Sequence, residues 1–251
     1  MGIGDELMAA GEARHIHRKT GKSVMILGAD GRPRWNEIWR GLPYILKRQV
    51  GIPTISIQNC GGHRPYIAGK TAERWSWKQY KPRPAEIVFT ADELSFAEPY
   101  RGMVMLEPNV KALGHDNKAW LSVRWIELAH DIVARGIRVV QCVQPGSHGY
   151  TLMSAHTPET TTFRQAAAIL SVARAFIGPE GGLHHAAAAV GVPAIVLWTE
   201  FISPEITGYE TQTNLRHAGK PCGSRMPCQG CKKSAYAITV SEVIQALERI
   251  L

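Results

Sequence analysis

The sequence predicts an α/β chain in two lobes, each built on a parallel sheet flanked by helices. Three observations carry this. After Tyr100, short apolar runs alternate with helix-length stretches, the pattern of strands joined by helical crossovers. The stretch Gly178–Pro193, followed by the apolar run Ala194–Trp198, reads as strand end, glycine-rich turn, small-residue helix and next strand. A length of 251 residues with 45% hydrophobic and 20% charged content gives globular proportions, with ample core for one large domain or two small lobes.

Taken in order, residues 5–20 predict a helix, because Leu7, Ala10, Ala13 and Ile16 recur every three to four residues. Ser23–Leu27 predicts a buried strand, Glu37–Arg48 a helix, Pro53–Gln58 a short strand and Glu86–Thr90 another. Residues 59–84, rich in Gly, Pro, Trp, Lys and Arg, predict irregular chain. Beyond residue 100, Met103–Leu106, Ile137–Val143, Ala175–Ile177 and Ala194–Leu197 predict strands. Trp120–Arg135, Thr161–Ser171 and Leu183–Val190 predict helices, the first ended by Gly136. Glu107–Lys118 reads as a polar loop. Ser241–Leu251 predicts a last helix with Val243, Leu247 and Leu251 on one stripe. The expected division is 1–100, 101–240 and a C-terminal helix, 241–251, packing back on the first lobe.

The formal charge of +8 favours anionic partners such as nucleic acid, acidic glycan or lipid, without choosing among them. No apolar run approaches the ~18 residues that cross a bilayer. The first residues show neither the basic nor the apolar region of a signal peptide, so a cytoplasmic location is expected. The odd count of five cysteines argues against a disulfide framework. Cys222, Cys228 and Cys231 follow a C-x5-C-x2-C spacing that fits a structural zinc site, with His217 or Cys60 as fourth ligand, or else free thiols or a local disulfide.

Two further features carry chemistry. The turn at residues 178–185 collects backbone N–H groups and a helix N-terminus at one point, which suits a phosphate, with Glu180 and His185 beside it. Gly61–Pro84 carries Arg64, Lys70, Arg74, Lys78, Lys81 and Arg83 against the single acid Glu73, interleaved with Tyr66, Trp75, Trp77 and Tyr80. Cations with aromatics suit phosphates beside bases or sugar rings. The plainer reading is a basic loop whose tryptophans anchor lobe packing.

The stretches Met1–Ala10, Asp116–Trp120 with Arg124 and Trp125, and Gly178–Ala188 together resemble glycosyltransferase family 9, the ADP-heptose:lipopolysaccharide heptosyltransferases. The resemblance covers residues 103–215 and the first dozen. It implies a GT-B fold of two Rossmann-like lobes, with a first lobe shorter than is common in the family. The family carries a strand ahead of its Gly-Asp pair, for which the sequence leaves almost no residues. By this resemblance Asp5 is the general base on the acceptor hydroxyl; an acid there is also favoured at a helix start. Lys118 would contact the donor phosphates, helped by Lys111, with Asn109 near them and Gln144 near the nucleoside. Gly181 and Gly182 would meet the diphosphate, Glu180 the sugar hydroxyls, and His185 a phosphate or the sugar. Glu180 replaces the family's Asp and Gly181 its hydroxyl residue, which implies a reshaped sugar pocket. The resemblance places Arg64, Lys70, Arg74, Trp75, Trp77 and Lys78 in the acceptor lobe.

The function implied is transfer of a sugar from a nucleotide-diphosphate sugar to an acceptor hydroxyl, inverting and without a catalytic metal, since no Asp-x-Asp pair sits in a suitable loop. An anionic envelope glycan such as lipopolysaccharide core is the acceptor the family implies. A DNA glycosyltransferase acting on hydroxymethylated bases is the alternative, and a non-catalytic nucleotide- or nucleic-acid-binding protein a third. The sequence does not determine oligomeric state.

Overall fold

The computed structural model describes residues 2–110, 116–144, 149–217 and 219–251. The α/β class holds, built on two parallel sheets. The first contains β1 (Ser23–Leu27), β2 (Ile45–Leu46) and β3 (Thr54–Gln58) in the order β2-β1-β3. The second contains β6 (Val104–Leu106), β7 (Val139–Val140), β8 (Ala175–Pro179), β9 (Ala194–Trp198) and β10 (Thr213–Arg216) in the order β10-β9-β8-β6-β7. Every pairing in both is parallel. A two-stranded antiparallel hairpin, β4 (Ile67–Lys70) with β5 (Trp75–Trp77), stands apart.

Strands β8 and β9 are buried at every position, because helices cover both faces of the sheet. Central parallel strands therefore read as unbroken apolar runs. The helices are α1 (Ile3–Thr20), α2 (Ala91–Ala97), α3 (Ser122–Ala134), α4 (Phe163–Val172), α5 (Gly182–Val190), the short α6 (Pro204–Thr207), α7 (Gln229–Ala237) and α8 (Val240–Ile250). In α3 the spacing of Trp125, Leu128, Ala129 and Ile132 buries one stripe, and Trp125 meets Trp120 edge-on at 5.0 Å. The last helix packs mainly on α3 and β9, and not, as expected, back on the first sheet. Val243 and Leu247 are buried there, while Leu251 is exposed.

Three predicted elements are corrected. Glu37–Arg48 is a single 3₁₀ turn, Glu37–Trp39, followed by β2. Gly41 stands at φ +87°, and a Cβ there would lie 2.7 Å from the Val88 side chain, so the chain turns where helical periodicity would have continued. Glu86–Thr90 pairs with no strand; its backbone instead bonds Arg164, whose guanidinium reaches the Val88 carbonyl. The predicted strand at 137–143 enters the sheet only at Val139 and Val140.

Three seams join the first-sheet elements to the second. In one, α1 crosses α5 so closely that a Cβ on Gly4 would sit 2.7 Å from His185 Cδ2. In another, Arg164 of α4 grips Glu93 of α2 through two bonds of 2.7 Å, which pull Glu93 down to about 2. In the third, the hairpin hydrogen-bonds the segment after β10, with Trp75 N–H donating to Gly223 O at 2.8 Å. We expect Gly4→Ala to push α1 off α5 and cost ~1–3 kcal/mol, as overpacking of a fitted contact does. A melting temperature equal to wild type would show that the seam can yield.

Candidate active site

The order of the second sheet places the site. The chain leaves β6 for β7 on one side and then crosses to β8 on the other. In open parallel sheets ligands lie at such a switch point, outside the carboxyl ends of the strands. Here those ends are Glu107–Val110 after β6 and Glu180–Gly182 after β8. Both line a cleft of about 1310 Å³, whose opposite wall is Gly2, Ile3, Gly4, Asp5, Arg64, Tyr66, Trp75 and Trp77.

The turn after β8 leads directly into the start of α5 at the cleft. Gly181 is the N-cap of α5, and its N–H is held by His184 Nδ1 at 2.9 Å. His184 Nε2 lies 3.1 Å from the Thr207 carbonyl. Nδ1 also lies 2.7 Å from the Gly181 carbonyl, so both ring nitrogens are tied to backbone. His184 is thus a buried cap. A Cβ on Gly181 would meet nothing within 4 Å, whereas one on Gly182 would lie 3.0 Å from Phe163. The first glycine has room for the hydroxyl residue that the family carries; the second is needed for packing.

Lys118 and Glu180 form an ion pair in the cleft. Burial pushes Glu180 up, but Lys118 first, with His184 and Thr207, holds the carboxyl below its ordinary range. His185 is buried, with Nδ1 2.9 Å from the Tyr209 hydroxyl. Burial, then His184 and Lys118, depress both its basicity and its charge, so it is a neutral ring at neutral pH. Glu180, His184 and His185 lie close enough to hold a metal. Yet both nitrogens of His184 are bonded to backbone and Glu180 is paired with Lys118, a set already committed to protein partners.

Across the cleft Asp5 sits in the first turn of α1, where its Oδ2 accepts the Gly2 N–H at 3.2 Å. Tyr66 OH donates to Oδ1 at 2.7 Å and Arg64 to Oδ2 at 3.4 Å. Tyr66 is raised well above its ordinary range by burial and then by Asp5, so it stays a donor. Arg64, Lys70 and Arg225 all lie over the Trp75 ring, within 5.1 to 5.7 Å, and Trp75, Trp77 and Tyr66 form a stacked series. A second cavity of about 540 Å³ shares Asp5, Arg64 and Tyr66 with the first.

The cleft thus brings together Asp5, Asn109, Lys118, Gln144, Glu180, Gly181, Gly182, His185, Arg64, Trp75 and Trp77. Lys78 lines the second cavity. Lys70 and Arg74 line neither, and Arg74 pairs with Ser224. Lys111 lies outside the described residues. Asn109 spends its amide on the backbone of Tyr150, at 3.2 Å in both directions. Gln144 is exposed at the cleft.

Sequence reasoning missed Tyr66 as the partner of Asp5, and it missed Glu107. Glu107 lines the cleft, accepts the Asn109 N–H at 2.9 Å and faces Cys142 and Tyr150. Burial pushes it up to about 7. The raised value means the proton is held in the fold: stability is full below the ordinary carboxylate range and falls as pH rises through about 7. Glu107→Gln, neutral throughout, should therefore be more stable than wild type near pH 8 by ~3 kcal/mol and equal to it near pH 4. Thermal melts at both pH values check this.

The two parallel sheets and the cleft between them define the architecture of the GT-B glycosyltransferases. Residues 76–235 match the family model of glycosyltransferase family 9 (heptosyltransferase), and the chain belongs to that family. No curated protein matches it. Among solved structures, the family 9 glycosyl transferase of Veillonella parvula is similar over 100% of this chain and 94% of its own, with TM-score 0.69 at 12% identity. TibC of enterotoxigenic E. coli, an iron-containing dodecameric glycosyltransferase, aligns over 100% of this chain and 74% of its own, with TM-score 0.64 at 14% identity. E. coli ADP-heptose lps heptosyltransferase II aligns over 66% of this chain, with TM-score 0.51 at 20% identity, and the chain spans only 53% of its length. At these identities the likeness is one of fold.

Proposed function

We propose that the chain transfers a sugar from a nucleotide-diphosphate sugar to a hydroxyl of an anionic acceptor, with inversion and without a catalytic metal. The observation that carries this is one cleft holding, on one side, a helix start with Lys118 and, on the other, the Asp5 carboxylate. Residues 1–100 would form the acceptor lobe and 101–240 the donor lobe.

In this reading the diphosphate takes the N–H groups at the start of α5 and the Nζ of Lys118, which turns from Glu180 to meet it. Glu180 then accepts from sugar hydroxyls. The acceptor oxygen attacks the anomeric carbon from the opposite side and gives its proton to Asp5. The bond from that carbon to the phosphate oxygen breaks, and its electron pair leaves with the nucleotide. Fixed dipoles and Lys118 stabilise the developing charge. His185, neutral and buried, orients the site without adding charge. The group Cys222, Cys228 and Cys231 lies outside the cleft lining, so any metal there is structural.

The acceptor surface is the Tyr66–Trp77–Trp75 series with its cations, which suits a phosphorylated glycan such as a lipopolysaccharide core. The same surface suits DNA. The net charge of +8 fits either, in a cytoplasmic setting; among the described residues no helix is long and apolar enough to cross a membrane. A thermal-shift panel of ADP-, UDP-, GDP- and CMP-sugars, ADP-heptose first, tests the donor half, since a ligand of the folded state raises the melting point. No shift with any of them contradicts the reading. Binding of DNA that falls steeply with salt would move the acceptor to nucleic acid. Donor turnover with any acceptor excludes a purely binding role.

A further inference from the structure

The three cysteines of the C-x5-C-x2-C segment are brought to one point. Cys228 is the N-cap of α7, Cys231 lies in its first turn, and Cys222 comes from the preceding loop. Their sulfurs lie within 4.8 Å of one another, with Cys222 and Cys231 3.5 Å apart. None is in a disulfide. Sulfurs around a tetrahedral zinc, each ~2.3 Å from the ion, stand about 3.8 Å apart, close to what is seen here. A disulfide would need ~2.05 Å.

Backbone amides also aim at the sulfurs. Ser224 N–H donates to Cys222 Sγ at 3.4 Å, and the N–H groups of Gly230 and Cys231 turn toward Cys228. Such donors are the outer hydrogen bonds that orient sulfurs toward a shared metal. Gly223 makes the first of these turns at φ +61°, where a Cβ would stand 2.1 Å from the Trp75 carbonyl oxygen. Neither expected fourth ligand is in the group. His217 is held by Glu242 at 2.9 Å, and Cys60 lies beside His63 at 3.5 Å. Among the described residues no other His, Cys, Asp or Glu joins the group, so the fourth position falls to water.

The segment between these cysteines holds both rims of the cleft. Toward the hairpin, Gly223 O accepts from Trp75 N–H at 2.8 Å and Arg225 N–H donates to Glu73 O at 2.7 Å. The Arg225 guanidinium adds bonds to the carbonyls of Thr71 and Ala72 at 2.8 and 2.9 Å. Toward the donor side, the buried Asn117 donates to the carbonyls of Ser224 and Met226 and accepts the Cys228 N–H, at 2.8 to 3.0 Å. Asn117 is the neighbour of Lys118.

The geometry points to a zinc ion bound by Cys222, Cys228 and Cys231 that clasps the tryptophan hairpin and the Lys118 segment together. The metal is argued from the thiols alone; only the meaning of the two rims rests on the proposed function.

The test is metal content, followed by hydrogen exchange. Wild type from zinc-supplemented medium should hold about one zinc per chain, Cys60→Ser the same, and the double variant Cys222→Ser/Cys228→Ser less than about a tenth. Should that variant fail to fold, a mercurial added to wild type with a chromogenic chelator should release the same single equivalent. Metal-free wild type, iron in place of zinc, or two of the three cysteines recovered as a disulfide from fresh lysate overturns the site. On metal removal, amides of residues 66–77 and 116–118 should exchange about tenfold faster. Unchanged exchange overturns the clasp. Neither readout uses sugar transfer, so failure of the enzymatic reading shows separately, as metal-loaded protein that neither binds nor turns over a donor.

Discussion

Asp5→Asn should slow sugar transfer by ~10²–10⁴-fold, the usual contribution of a positioned general base, while donor affinity stays within about twofold. The amide keeps the shape of the carboxylate and can still take the Tyr66 hydrogen bond made at 2.7 Å in wild type, but it cannot accept a proton. Arg64 loses its anion in the variant; being part-exposed, it turns to solvent at little cost. The separation matters because Asp5 also ties down the start of α1 through Gly2. A purely structural role would lower donor affinity and melting temperature together and leave the pH profile of turnover in place. Loss of the acidic limb of that profile, with the fold intact, marks the base. Turnover unchanged in Asp5→Asn removes the residue from the mechanism.

Lys118→Ala should weaken donor binding by ~10–150-fold, the 1.5–3 kcal/mol of a hydrogen bond to a charged group. It should also destabilise the protein by about 3 kcal/mol, because Glu180 is left buried without its cation. The sign with pH follows from the pair. In wild type Lys118 holds the Glu180 carboxyl below its ordinary value, so the pair's contribution is present above the carboxylate range and lost as pH falls through it. Without Lys118, Glu180 loses the first of the neighbours that offset its burial, and the variant gains less stability than wild type as pH rises. Lys118→Ala/Glu180→Ala should recover the melting temperature without recovering the donor. Recovery of both would mean that Lys118 serves only to neutralise Glu180.

What was legible in the sequence follows from range. The unit β8–α5–β9 is local: an unbroken apolar run, a glycine turn and a small-residue helix state their own structure. Helix α1 is legible because Leu7, Ala10, Ala13 and Ile16 repeat at helical spacing, although residues 5–11 are buried all round. The 37–48 segment misleads because Ile38, Trp39, Leu42 and Ile45 keep helical spacing, while Gly41 and the pairing of Val24 with Ile45 decide for a turn and a strand. The hairpin was hidden by Gly69, Lys70 and the polar turn that follows, although Trp75 and Trp77 alternate as strand residues do. At the site, the phosphate turn and Lys118 carry motif signals. Tyr66 does not, because its partner Asp5 is 61 residues away. Nor does Glu107, one acid after a strand, whose burial depends on Cys142 and Tyr150 arriving from elsewhere.

A crystal structure of the chain with a nucleotide-diphosphate sugar tests the central claim most directly. The account predicts the diphosphate within hydrogen-bond reach of the Gly182 amide at the start of α5 and of Lys118 Nζ, with the anomeric carbon facing Asp5 across the cleft. A diphosphate bound elsewhere, or an anomeric carbon turned away from Asp5, would contradict it.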